Sequence, residues 1–384
     1  MNPRRQTGFR AELIDENSGG VFSAQREPSL SEILLLLATI FAMHLVAVLR
    51  VGGFWERAAP WFDKAEYLEI AATIRQWHLP GGSTPKEFWG FPYAIVAASK
   101  LFFVPEHKAI VIVSALASVA VCILVQRLYG GWVAGAFIVI NYQWIVLSVE
   151  GGSEPLFMCL LFGSFLAARS NRWNIAALLA ALSTTVRPVG VFGLIAFAAV
   201  LAARKNYRQL TAITLIAVAT GVFYVVPLWI IMGSPFANFV GYRRHWGPQG
   251  WALTFPFGAL VPSYLTALHG MRWTFFVFSA VWPIVALVGI VAMCLPGNRQ
   301  RLWLYPPESL FAFMYILFLF TYNDREISLA FDRYLEPSLP LLLFAMHDWI
   351  PRDRRVLWGA GVISALLSAA VVVSFRNIFG FNLP

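Results

Sequence analysis

Runs of roughly 17–22 apolar residues recur along the whole chain, and no other feature restricts the fold as strongly. Each run is long enough to cross a ~30 Å hydrocarbon core as a helix. Inside a bilayer no water satisfies a free amide or carbonyl, so a spanning segment must satisfy its own backbone. Runs of this length therefore predict helices and not barrel strands. The composition agrees, with 59% of residues hydrophobic and 13% charged. That is about half the charge with which a soluble domain of this length covers its surface. No soluble domain of useful size fits between the runs. The expectation is an all-α fold, a polytopic membrane helical bundle forming one domain over residues 30–376.

Residues 1–29 are polar and mixed in charge, with Gly19-Gly20 and Pro28. No apolar core follows a short basic start, so they read as a flexible cytoplasmic tail and not as a signal peptide. Residues 377–384 read as an outer tail. The formal net charge of +9 does not point to nucleic acid, because the cytoplasmic turns of a membrane protein carry Arg and Lys in any case. Cys122, Cys159 and Cys294 all fall within apolar runs, with no Cys-x-x-Cys and no His/Cys cluster. They read as buried small hydrophobes.

The first span is placed at Leu30–Leu49, and Arg4, Arg5, Arg10 and Arg26 before it favour a cytoplasmic N-terminus. A half-polar first loop, 50–105, follows. Trp55, Trp61, Trp77 and Trp89 lay it along the outer interface. Within it, Phe91–Phe103 is apolar but short for a span, and its placement decides everything downstream. If it does not cross, spans follow at 107–126, 132–148, 154–168, 174–186, 188–203, 209–231, 273–294, 303–321, 333–347 and 356–375. The turns holding Arg127, Arg169/Arg172, Arg204/Lys205/Arg208, Arg299/Arg301 and Arg352/Arg354/Arg355 then all fall inside. If it crosses, all of them fall outside. The positive-inside rule selects the first arrangement, with about eleven spans and an outer C-terminus. The segments 174–186 and 188–203 meet at Arg187-Pro188, either as two half-depth helices or as ordinary short spans.

The polar residues now sort to the outer face: Asp63, the turn Glu150-Gly-Gly-Ser-Glu154, the Arg187-Pro188 corner, the loop 233–272 and the segment 323–333. Charges at membrane depth are costly and mark function. Acids and arginines gathered at one face suit a cavity for a charged lipid headgroup. Trp61–Ala72 is helix-compatible, with Asp63 as its N-cap and Tyr67, Ile70 and Ala71 on one face. Taken alone it reads equally well as an amphipathic interfacial helix. His44 reads as a helix-packing residue. His245, beside Arg243, Arg244 and Trp246, reads as a contact to either a headgroup or an acceptor.

At these residues the chain resembles the GT-C glycosyltransferases, membrane enzymes that take sugars from polyprenyl or dolichyl phosphate. The superfamily includes protein O-mannosyltransferases, lipid A aminoarabinose transferases and the second mannosyltransferase of GPI anchors. An acid in the first outer loop followed by Tyr and Ala, here Asp63, Tyr67 and Ala71, is similar to the start of the family's site. Phe88-Trp-Gly-Phe-Pro92-Tyr93 resembles its Pro-Tyr juxtamembrane helix, and Ser153-Glu154-Pro155 its acidic corner. Thr184-Thr185-Val186-Arg187-Pro188 resembles its Arg-Pro corner. The stretch Tyr242–Trp246 to Trp251 resembles the long loop of the GPI type, and Asp332-Arg333-Tyr334-Leu335-Glu336-Pro337 the late Arg-Tyr motif. The likeness covers residues 30–345 in order. The chain departs from the GPI type in one respect: Phe62 separates Trp61 from Asp63.

The resemblance implies a GT-C-like bundle that transfers a mannose-like or other hexose or pentose. The donor is a polyprenyl-phosphate-linked sugar, and the acceptor a lipid, glycan or protein on the outer face. Transfer to a hydroxyl needs a general base, for which Asp63 is the first candidate and Glu66 the second. It also needs cations on the departing phosphate, for which Arg187 and Arg333 are placed at outer helix ends. Tyr67, Glu154, Tyr334, Arg243, His245 and Trp246 are the candidate substrate-binding residues. Some GT-C enzymes use a divalent metal, but nothing in this sequence forms a dedicated metal cage, so no cofactor is expected. Two rival readings are a transporter or flippase of a lipid-linked saccharide and a non-catalytic subunit of an envelope glycan assembly complex. Against the transporter, no internal repeat is visible and the charges cluster at one face instead of the midplane.

Overall fold

The computed structural model describes residues 27–51, 64–76, 86–246, 253–269, 273–303, 305–322 and 330–378. Among them the chain is helical, joined by short turns, as the apolar runs require. Helix α1 (Leu30–Val51) opens on a capping box. Ser29 Oγ accepts from the Glu32 amide at 3.3 Å and Glu32 Oε2 accepts from the Ser29 amide at 2.7 Å. Helix α2 (Lys64–Gln76) buries Tyr67, Ile70, Ala71 and Ile74 along one face, the face its spacing predicts, and packs on α3 (Gly90–Phe102).

The central layer is α4 (Glu106–Tyr129), α7 (Glu154–Arg169) and α8 (Trp173–Val186), with α7 packed between the other two. Outside it, α9 (Val191–Ala203) lies on α15 (Pro306–Thr321), α10 (Tyr207–Met232) lies on α8, and α18 (Arg354–Ile378) lies on α1. Between α10 and α15, α13 (Trp273–Cys294) packs on both α12 (Leu260–His269) and α14 (Pro296–Trp303). In α10 only Ile213 and Leu228 are buried, while Leu215, Phe223 and Ile230 face outward. An outer surface this apolar is unfit for water and fit for lipid. Among the described residues, three helices have the length and apolarity to cross a membrane alone: Leu30–Leu49, Glu106–Tyr129 and Tyr207–Met232. Shorter apolar helices, Trp173–Val186, Pro188–Ala203, Ala280–Cys294 and Pro306–Thr321, fall at four of the other expected spans.

Two expected spans are broken. The stretch 132–148 is α5 (Gly131–Ile140) and α6 (Tyr142–Glu150), bent by 79° at Asn141. Asn141 leaves the helical region, and its side chain caps α6 by accepting from the Trp144 amide at 3.1 Å. The stretch 333–347 is likewise α16 (Phe331–Leu335) and α17 (Leu339–Ala345). Pro337 lacks an amide proton and so cannot make the bond that would continue the helix, which ends here although Glu336 keeps a helical conformation (φ −43°, ψ −45°).

Helix α7 runs from Glu154 to Arg169 and α8 returns from Trp173 to Val186, just before Arg187, so the bundle has two chemically distinct ends. The sixteen residues of α7 separate them by ~24 Å. One end holds Arg169, Asn171 and Arg204; the other holds Glu154, Arg187 and Arg333. Reporter fusions test which end is cytoplasmic. Fusion after Arg208 is expected to report inside, and fusion after Arg325 outside. The reverse pair would mean that Phe91–Phe103 crosses.

Candidate active site

The site begins with a turn that only glycine allows. Gly151 closes α6 in the left-handed region at φ 96°. Beside it, a Cβ on Gly152 would lie 2.7 Å from Leu147 Cβ and 2.9 Å from Glu154 Oε2. Ser114 Oγ fixes this turn by donating to the Gly152 carbonyl at 2.7 Å. Glu154 then starts α7 with Pro155 next, a position where a carboxylate faces the positive end of the helix dipole. It is fully buried.

Two arginines reach it from distant parts of the chain. Pro188 forces Arg187 out of the helix into an extended conformation (φ −142°, ψ 129°), so α8 ends and the side chain turns inward. Arg187 Nη2 lies 2.8 Å from Glu154 Oε1. Arg333, on the short helix α16, donates from Nε to the same oxygen. The Arg187 and Arg333 guanidinium carbons lie 5.5 and 5.9 Å from the centre of the Tyr334 ring, within cation–π range. Glu154 Oε2 has no hydrogen-bond partner among the described residues.

Glu336 joins this group, although nothing in the sequence singled it out as a site residue. It is fully buried, both carboxylate oxygens lack a hydrogen-bond partner among the described residues, and it lies within electrostatic reach of Glu154, Arg333, Asp332 and Arg187. A buried carboxylate without a hydrogen-bond partner is costly, and at membrane depth such a cost marks function. Its one sequence signal was a place in the Asp332–Pro337 motif. Asp332 is buried as well, and its Oδ2 accepts from the Tyr142 hydroxyl at 3.1 Å.

The first loop closes one side. The buried Tyr67 hydroxyl lies 3.1 Å from Glu87 Oε2 and 3.0 Å from Ser153 Oγ, directly beside Glu154. Glu66 Oε1 accepts from the Lys86 and Glu87 amides at 2.5 and 3.1 Å, so it ties α2 to the turn before α3. Asn238, near the start of α11 (Ala237–Trp246), donates to the Glu87 carbonyl. Lys64 is buried, and burial pushes its ammonium below the ordinary lysine value, with the Glu150 carboxylate opposing. Glu150 Oε1 lies 3.2 Å from Nε2 of buried His44, so that histidine carries a polar bond as well as packing.

The structure thus brings Glu154, Arg187, Arg333, Tyr334 and Tyr67 to one end of the bundle. Asp63 lies outside the described residues, and so do the side chains of His245 and Trp246. Arg243 is exposed on α11 and has no ion-pair partner among the described residues. Among the described residues Glu154 is engaged by two guanidiniums, and no group of three His, Cys, Asp or Glu side chains is placed to hold a metal ion.

No protein-family model and no curated protein matches the sequence. The fold is similar to two crystal structures of ArnT from Cupriavidus metallidurans. The structure bound to undecaprenyl phosphate aligns with a TM-score of 0.53 at 14% identity, over 91% of this chain and 65% of that one. The apo structure aligns with a TM-score of 0.51 at 14% identity, over 92% of this chain and 66% of that one. The chain therefore spans about two thirds of the length of the ArnT chain it matches. At this identity the likeness is one of fold, and it is the fold that the GT-C resemblance implies.

Proposed function

We propose that the protein is a membrane glycosyltransferase that moves a sugar from a polyprenyl-phosphate donor to an acceptor hydroxyl at the outer face of the membrane. The observation that carries this reading is the convergence of Arg187 and Arg333 on Glu154, in a fold like that of a protein crystallised with undecaprenyl phosphate. The shared carboxylate of Glu154 holds both guanidinium forks in place beforehand, where they can meet the oxygens of a phosphate. In the proposed reaction a carboxylate of the first loop, Asp63 before Glu66, takes the acceptor proton. The acceptor oxygen bonds to the anomeric carbon as that carbon's bond to the donor phosphate breaks. The phosphate leaves onto Arg187 and Arg333. Tyr67 and Tyr334 line the sugar, and Arg243, His245 and Trp246 stand on the segment proposed to meet the donor headgroup or the acceptor.

The test is release of polyprenyl phosphate from a polyprenyl-phosphate sugar by the purified protein. Wild type is expected to release it. Arg187→Lys keeps the charge but loses the planar fork, and is expected to lower the rate roughly tenfold or more. Donor binding that is unchanged in both Arg187→Ala and Arg333→Ala would leave these residues as structural ion pairs.

A further inference from the structure

The opposite end of the bundle carries a second charged cluster that the proposed reaction does not use. Arg169, at the end of α7, is held by Glu308 Oε1 at 2.7 Å from its Nε and by the Leu128 carbonyl at 2.7 Å from Nη1. Its guanidinium carbon sits 3.5 Å from the centre of the Tyr305 ring. Its Nη2 is buried and has no hydrogen-bond partner among the described residues. Glu308 is the one acid lining the surrounding cavity of about 410 Å³, and Arg169 already neutralises it. Arg204 lines the same cavity, exposed and without an ion-pair partner among the described residues. Asn171 lines it too; its oxygen is taken by Trp173 Nε1 at 2.7 Å, which leaves its amide donors for another acceptor. Among the described residues the cavity therefore offers several donors and no free acceptor acid.

An apolar groove of about 580 Å³ adjoins it, with Arg204 and Pro306 lining both. Ala199, Val200 and Ala203 of α9 form one wall, Leu310 and Phe313 of α15 another, and Met293 of α13 a third. From Pro306 to Phe313 the groove follows α15 for ~10 Å. A donor-rich cavity opening onto an apolar groove fits an anionic amphiphile with its phosphate at the helix ends and its chain along the helices. Basic pockets between membrane helices bind anionic headgroups in this way. Arg172, Lys205 and Arg208 in the neighbouring turns add to the attraction.

We propose that this end of the bundle binds one anionic phospholipid, its phosphate held by Arg204 and Arg169 and the first part of an acyl chain lying in the groove. The test uses the full-length protein in neutral detergent, with bound lipid read by native mass spectrometry and the unfolding midpoint by thermal scan. Phosphatidylglycerol is expected to bind about tenfold tighter than phosphatidylcholine and to raise the midpoint. Arg204→Gln removes the unpaired charge and Ala199→Trp fills the groove, and each is expected to weaken phosphatidylglycerol about tenfold. Both positions are exposed, so the lipid-free midpoints should match wild type. Arg204→Lys should retain most of the binding. Equal binding of the two phospholipids, an equal effect from inorganic phosphate alone, preference for undecaprenyl phosphate, or wild-type binding by both weakened variants would each overturn the proposal.

Discussion

Asp63→Asn is expected to give a folded, normally expressed protein with at least ~100-fold less transferase activity. A positioned general base contributes ~10²–10⁴-fold to rate. Asn has the size of Asp and caps a helix about as well, so the substitution removes only the ability to take a proton. Asp63 itself lies outside the described residues. Helix α2 opens immediately after it, at Lys64, and carries Tyr67 to within 3.0 Å of Ser153, the neighbour of Glu154. A residue that only starts this helix predicts near-normal activity for Asn. Full activity in the folded variant would move the base elsewhere. Glu66 is the next residue to test, although its Oε1 is already bonded to the Lys86 and Glu87 amides.

Glu154→Gln is expected to cost stability as well as activity, about 3–5 kcal/mol by the measure of other buried pairs that lose a partner. Its carboxylate is buried between two guanidiniums, whose side chains are 13% and 9% exposed. A neutral amide leaves those two like charges facing each other in a site closed to water. The double variant Glu154→Gln/Arg187→Gln removes one of the charges and should recover part of the stability. On the proposed function it should recover none of the activity, since the phosphate loses a partner. Chemical denaturation and the release assay, run on both variants, separate the two roles. A single variant as stable as wild type would refute the account of Glu154 as the anchor of both arginines.

The apolar runs made most of the fold legible, because in a bilayer hydropathy and helix are nearly the same statement. The segments expected at 107–126, 154–168, 174–186 and 209–231 are Glu106–Tyr129, Glu154–Arg169, Trp173–Val186 and Tyr207–Met232. The bend at Asn141 was not legible. One polar residue hardly changes the mean hydropathy of a run, yet a side-chain oxygen capping the Trp144 amide is enough to start a new helix. The site was legible through cost. Glu154, Arg187 and Arg333 stood out as charges next to apolar sequence, and the structure joins them. Glu336 was harder to read, since whether a carboxylate is buried and lacks a partner depends on neighbours distant in the chain. Arg243 drew its expected role from its loop alone, and it stands exposed.

The Glu154 pairing has a consequence for the order in which the protein is made. Helices α7 and α8 form a hairpin, so Glu154 can meet Arg187 soon after both leave the ribosome. Arg333 is 179 residues beyond Glu154 and reaches the translocation machinery much later. Until then the hairpin holds a carboxylate with one of its two cations. A nascent chain stopped short of Arg333 should therefore be inserted yet remain open to membrane proteases, and extending it past α16 should confer resistance in a single step.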